Sequence, residues 1–200
     1  MVVIHYTAMR SADAACRTLC NPDTEVSSHY LIAEDGRVMS LVAEKMRAWH
    51  AGAGRWGDVS DVNSHSIGIE LANDGFSPFS HKQMDALEYL IEGVCARWNI
   101  SRHRVIGHSD LAPGRKIDPG PRFDWQRLVR RGMAVWPEVA QAEPKAFHKA
   151  ACAFGYSPDV DDATRLAAFR LRFRFGYDGP LDAVDAGMAV DLAERFGIET

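Results

Sequence analysis

The sequence predicts an α/β fold: a mixed β-sheet flanked by helices, followed by a small all-α C-terminal module. Short apolar runs of strand character alternate with stretches of helical periodicity, the pattern of a layered α/β domain. Two of the runs flank an Asp-Gly turn, which makes them a hairpin and the sheet mixed rather than wholly parallel. Beyond residue 144 the periodicity is helical throughout.

Val2-Val3-Ile4-His5-Tyr6 reads as a buried strand, and Ser11 then caps a helix that places Ala12, Ala15, Cys16 and Leu19 on one face and ends at Asn21-Pro22-Asp23. The hairpin joins His29-Tyr30-Leu31-Ile32 to Val38-Met39-Ser40-Leu41-Val42 through Glu34-Asp35-Gly36-Arg37. Residues 48–63 lack periodicity and form a long loop, a length that usually serves function, carrying Trp49, His50 and Trp56. Residues 66–71 return to a strand. Ser80 caps a helix running to Trp98, with Met84, Leu87, Leu90, Ile91, Val94 and Cys95 as its apolar stripe. Val105-Ile106 is a last short strand leading into residues 109–121, where Pro113, Gly114, Pro119 and Gly120 argue against regular structure. The first domain is expected over 1–132, a linker over 133–144 and a three-helix domain over 145–200, its helices separated at Gly155-Tyr156-Ser157-Pro158 and Gly176-Tyr177-Asp178-Gly179-Pro180.

The 200-residue chain is 46% hydrophobic and carries a net charge of -4, with 23 Lys+Arg against 27 Asp+Glu and no long basic run. Nucleic acid is therefore not an expected partner, and no apolar run is long enough for a membrane span. The start, Val2-Val3-Ile4-His5, lacks the basic and apolar regions of a signal peptide. Cytoplasmic action is expected, with the periplasm as the alternative if a signal precedes this chain. Cys16, Cys20, Cys95 and Cys152 are too few and scattered for a disulfide frame or a Cys-rich structural zinc site, and Cys16 and Cys20 are expected in the core.

His5 and His108 each end a strand, and Asp118 follows in a loop; three such N/O donors from separate elements can form a catalytic zinc site with one position left for water. Eight histidines permit many triples, so spacing alone does not separate this set from packed or surface histidines. Glu70, at the end of Ser66-Ile67-Gly68-Ile69-Glu70, can serve as a general base or stand as a strand-end surface acid. Lys116, two residues before Asp118, can stabilise an oxyanion or simply be solvated. His29 and His65 can be packed or supporting residues, and His81, His103 and His148 fall in polar surroundings.

Context decides among these. His5-Tyr6-Thr7-Ala8, Val26-Ser27-Ser28-His29-Tyr30-Leu31-Ile32, Arg47-Ala48-Trp49-His50-Ala51-Gly52, Asn63-Ser64-His65-Ser66-Ile67-Gly68-Ile69-Glu70, Gly107-His108-Ser109-Asp110-Leu111-Ala112-Pro113-Gly114-Arg115-Lys116 and Asp118-Pro119-Gly120 occur in that order. Together they closely resemble the zinc N-acetylmuramoyl-L-alanine amidases of the type-2 amidase family, over about residues 2 to 130. The resemblance implies one Zn2+ on His5, His108 and Asp118, Glu70 as catalytic base and Lys116 as its oxyanion partner. It also implies cleavage between N-acetylmuramic acid, or its 1,6-anhydro form, and the L-alanine of a peptide stem. The expected partners are peptidoglycan fragments (anhydro-muropeptides) or the sacculus. Trp49, His50 and Asn63 are expected to line the substrate cleft, with His50 as a fourth ligand the competing idea. Residues 145 to 197 look like a three-helix peptidoglycan-binding module, although Arg170 and Phe175 stand where that family commonly has glutamine and proline. The rival reading from another class is a peptidoglycan-recognition module that binds without cleaving.

Overall fold

The computed structural model describes residues 1–198; the last two residues of the expected 145–200 domain lie outside the described residues. Five strands, β1 (Val2–Tyr6), β2 (Tyr30–Ile32), β3 (Val38–Ser40), β4 (Ile67–Leu71) and β5 (Val105–Gly107), form one sheet in the order β3-β2-β4-β1-β5. β2, β4, β1 and β5 run parallel, and β3 pairs antiparallel with β2 through the expected hairpin. Gly36 turns that hairpin at φ +88, and a Cβ there would lie 2.7 Å from the Lys82 carbonyl oxygen.

β1 is buried on both faces, so its run of apolar residues is continuous rather than alternating. Val2 and Ile4 face α2 (His81–Trp98) and α4 (Trp125–Arg130), packing with Ile69, Leu71, Leu87, Ile91, Val105 and Leu128. Ser80 Oγ accepts from Gln83 N at 3.1 Å to start α2. Gln83 is itself buried, and its Nε2 donates to the Ile32 and Ala72 carbonyls at 2.9 and 3.0 Å, fixing the helix to the sheet. The opposite face, with Val3, is covered by the 48–63 loop and the C-terminal helices, while α1 (Ala12–Leu19) packs on Leu31 beside them.

Two expectations are corrected. His108–Leu111 form a short helix, α3, inside the stretch expected to be irregular, because the prolines begin only at 113 and the Asp110 carboxylate accepts from Gly107 N at 2.8 Å. Cys16 is half-buried and packs beside Ala12, Ala15 and Leu31 as expected, whereas Cys20, just past the end of α1, is exposed.

The C-terminal helices are α5 (Phe147–Phe154), α6 (Asp162–Phe173) and α7 (Ala183–Phe196). Phe147, Phe154, Tyr156 and Phe169 share one apolar core with Val3, Trp56, Ile106 and Leu111. Arg170 is buried against Asp185 and the Gly179 and Pro180 carbonyls, whereas Phe175 is exposed. Among the described residues no helix is long and apolar enough to cross a membrane.

Candidate metal centre and catalytic cleft

Parallel pairing sets the site. His5 on β1 is in register with Glu70 on β4, and Ile4 with Gly107 on β5, so the carboxyl ends of three adjacent strands bring His5, Glu70 and His108 together. His5 Nδ1 lies 2.9 Å from His108 Nδ1 and 2.9 Å from Asp118 Oδ2, and His108 Nδ1 lies 3.1 Å from the same oxygen. All three side chains are buried.

The hydrogen bonds on the far side of each ring decide its tautomer. His108 Nε2 can only donate to the Ala51 carbonyl, 2.8 Å away, which leaves Nδ1 with a lone pair. His5 Nε2 donates to His50 Nδ1 at 3.0 Å; His50 Nε2 donates to Ser66 Oγ at 3.2 Å; and that hydroxyl donates to the Val62 carbonyl at 2.6 Å. Both Nδ1 lone pairs therefore converge on the point faced by the Asp118 carboxylate. Burial and the neighbouring His108 push His5 down to about 4, so it is neutral at pH 7. Although burial acts to raise it, the imidazoles of His108 and His5 beside it hold Asp118 below the usual carboxylate range. Two imidazoles and one carboxylate about 3 Å apart match three corners of a tetrahedral zinc site, whose ligands at roughly 2.0 to 2.1 Å are separated by about 3.3 Å. The donor set fits a zinc ion, and the outer partners are those that orient metal-binding histidines.

Glu70 lines the adjoining cleft of about 600 Å³, together with Tyr6, Trp49, His50, Arg115, Lys116 and Ile117. Its Oε2 is buried and has no hydrogen-bond partner among the described residues. Burial, then the Asp118 carboxylate, push Glu70 up to about 8 against the opposing pull of Lys116. Lys116 is exposed at the rim. Trp49 is 55% exposed, stacked under the Arg47 guanidinium at 4.3 Å, and offers a flat apolar wall.

Two residues expected to contact substrate are otherwise engaged. The ring of His50 reaches the cleft floor, but both nitrogens are committed to His5 and Ser66, so it holds the His5 ring and offers no fourth donor. Asn63 lies outside the cleft: its Oδ1 accepts from His50 N and Ala51 N at 3.0 and 2.9 Å, holding the loop that carries both. Sequence reasoning passed over Arg115, whose Nη2 donates to the Ala51 carbonyl at 2.6 Å and to that of Ala53. Its position in the same motif as His108 was the available signal. His29 is buried, with Nδ1 accepting from Gly68 N at 2.9 Å and Nε2 donating to the Met46 carbonyl, whereas His65 is exposed.

A family profile described as N-acetylmuramoyl-L-alanine amidase matches residues 1–121. The N-acetylmuramoyl-L-alanine amidase AmiD of Escherichia coli (strain K12) is 34% identical over 98% of this chain and 83% of its own length. The AmiD structure with the substrate anhydro-N-acetylmuramic acid-L-Ala-D-gamma-Glu-L-Lys superposes with a TM-score of 0.89, covering 98% of this chain and 89% of that one. AmpDh3 from Pseudomonas aeruginosa in complex with anhydromuramic pentapeptide gives 0.87 at 31% identity, covering 99% and 92%. The 1,6-anhydro-N-acetylmuramyl-L-alanine amidase AmpD of Haemophilus influenzae (strain ATCC 51907 / DSM 11121 / KW20 / Rd) is 40% identical over 52% of this chain and 57% of its own length.

Proposed function

The chain belongs to the N-acetylmuramoyl-L-alanine amidase family, and from that premise we propose that it hydrolyses the amide between 1,6-anhydro-N-acetylmuramic acid and the L-alanine of a peptide stem, in peptidoglycan recycling. The observation that carries this reading is the convergence of the His5, His108 and Asp118 donor atoms beside a buried carboxylate oxygen without a partner. The anhydro sugar is favoured by its presence in the complexes of AmiD and AmpDh3.

His5, His108 and Asp118 would hold the zinc ion, which would supply a Lewis acid for the scissile carbonyl and lower the pKa of water toward about 7. The roles of the protein follow from its side chains. Glu70 accepts the proton of the attacking water and returns it to the departing amine of L-alanine. Its unpartnered oxygen is free for that exchange. The Lys116 ammonium stabilises the negative charge that develops on the carbonyl oxygen. Trp49 provides a face for the apolar side of the sugar or stem.

Metal analysis combined with turnover of soluble anhydro-muramoyl-tripeptide and of intact sacculi, for the wild type and Glu70→Ala, tests the proposal. The expected result is about one zinc per chain with Glu70-dependent release of peptide from the soluble substrate. Cleavage mainly of sacculi would reassign the enzyme to the intact wall. A folded protein that holds no zinc and cuts neither substrate would leave only binding.

A further inference from the structure

We infer that the C-terminal helices are a positioning device for the metal centre, acting through Tyr156 and Arg172 on the Asp110 carboxylate and so on the turn that carries His108. The inference rests on the zinc reading of His5, His108 and Asp118 and extends it to Tyr156 and Arg172, which lie outside the amidase-like motifs.

Arg172 belongs to the inward face of α6, next to Ala168, Phe169 and Phe173, and its side chain is 1% exposed. A guanidinium there requires a partner of opposite charge. The partner is Asp110 of α3, equally buried, 2.6 Å from Arg172 Nη1. The guanidinium is stacked 4.0 Å from the Trp125 ring, so it bridges α3 and α4 from a third element. Tyr156 supplies a second contact from the same module, its hydroxyl donating to Asp110 Oδ1 at 2.7 Å.

Asp110 thus accepts from three donors, and the third reveals what the other two are for. Its Oδ2 takes the Gly107 N–H at 2.8 Å, and Gly107 is the residue from which α3 starts, immediately before His108. A four-residue helix has no stability of its own; its orientation must be imposed from outside. Ser109 N donates to the Asp118 carbonyl at 2.9 Å, so the same turn locates the backbone of a second metal-ligating residue. Gly107 leaves no room for a side chain: a Cβ there would lie 2.7 Å from Pro119 Cδ and 3.3 Å from Trp125 Cζ2. Tyr156 and Arg172 therefore close a brace around a turn bearing His108 and linked to Asp118. On its other flank Trp56, packed edge-on against Phe154 and Tyr156, seats the loop whose Ala51 carbonyl receives His108 Nε2.

Zinc affinity of the 200-residue chain, measured by competition with a chromophoric chelator below the melting temperature, tests the brace. Tyr156→Phe keeps the ring against Trp56 and Phe154 and deletes one donor; Arg172→Met deletes the charge. Leu192→Ala, in α7, an element that packs chiefly on α5, is the control for general loosening of the module. Both brace variants are expected to bind zinc roughly 10–100-fold more weakly, with Leu192→Ala melting earlier but binding zinc as the wild type does. If Arg172→Met does not fold, Tyr156→Phe decides. Wild-type affinity in Tyr156→Phe, or equal weakening in Leu192→Ala, overturns the brace while leaving the metal site standing. A wild-type chain that takes up no zinc overturns the metal site and the brace with it.

Discussion

His50 occupies the space that a side chain at position 68 would need: a Cβ built on Gly68 would lie 2.4 Å from His50 Cγ. The glycine of β4 is thus what allows the imidazole to lie over the sheet and receive the His5 Nε2 proton. Gly68→Ala is expected to displace His50, release His5 from its tautomer and weaken zinc binding roughly 10–100-fold. Overpacking costs about 1–3 kcal/mol besides. Chelator competition and a denaturant melt measure the two effects separately, and unchanged zinc affinity would refute the supporting role of His50.

Glu70→Gln preserves the shape of the side chain but cannot exchange a proton. Zinc content is expected to match the wild type while kcat falls roughly 10²–10⁴-fold. Loss of zinc along with activity would make Glu70 a ligand rather than a base.

The same residue affects stability in the metal-depleted protein. Its folded pKa is raised from 4.5 to about 8, so the native state keeps a proton that the unfolded chain has already released in between. The contribution is fully present below 4.5 and is lost as pH rises through about 8. Metal-depleted wild type should therefore lose stability across that window more steeply than metal-depleted Glu70→Gln. Urea melts at the two ends of the range provide the comparison.

Glu44 behaves in the opposite sense. Hydrogen bonds from Arg97 first, then from Tyr30 and Trp98, outweigh its burial and hold its carboxyl down at about 2 instead of 4.5. Its contribution is present above 4.5 and is lost as pH falls through about 2. Glu44→Gln should flatten the acid limb of the stability profile, with zinc binding and turnover unchanged.

Much of the fold was legible because its determinants are local. The Asp35-Gly36 turn, the Ser80 cap and the apolar stripe of α2 each depend on residues a few positions apart. His5, Glu70 and His108 could be placed at strand ends by the same reasoning, although their convergence depends on strand order, which periodicity does not encode. The directions of His50 and Asn63 were not legible, because nothing in a loop sequence states which way a side chain turns; they follow from the Gly68 gap and from the backbone N–H groups of residues 50 and 51. α3 could have been anticipated from Gly107 followed three residues later by Asp110, a spacing that caps a helix start. Arg165 and Arg172, charges within the apolar face of α6, were the visible sign that this helix meets buried acceptors.

The shared core of Val3, Trp56, Ile106 and Leu111 with Phe147, Phe154 and Phe169 has a consequence for how the molecule comes apart. Residues on both sides of the 133–144 segment shelter one another from water, so neither group can be exposed without exposing the other. Heating should yield a single calorimetric peak in place of two, and an ion captured at His5, His108 and Asp118 should delay the loss of α5–α7 as much as that of the sheet. The covalent thread passes through a narrow neck there, but cooperativity does not.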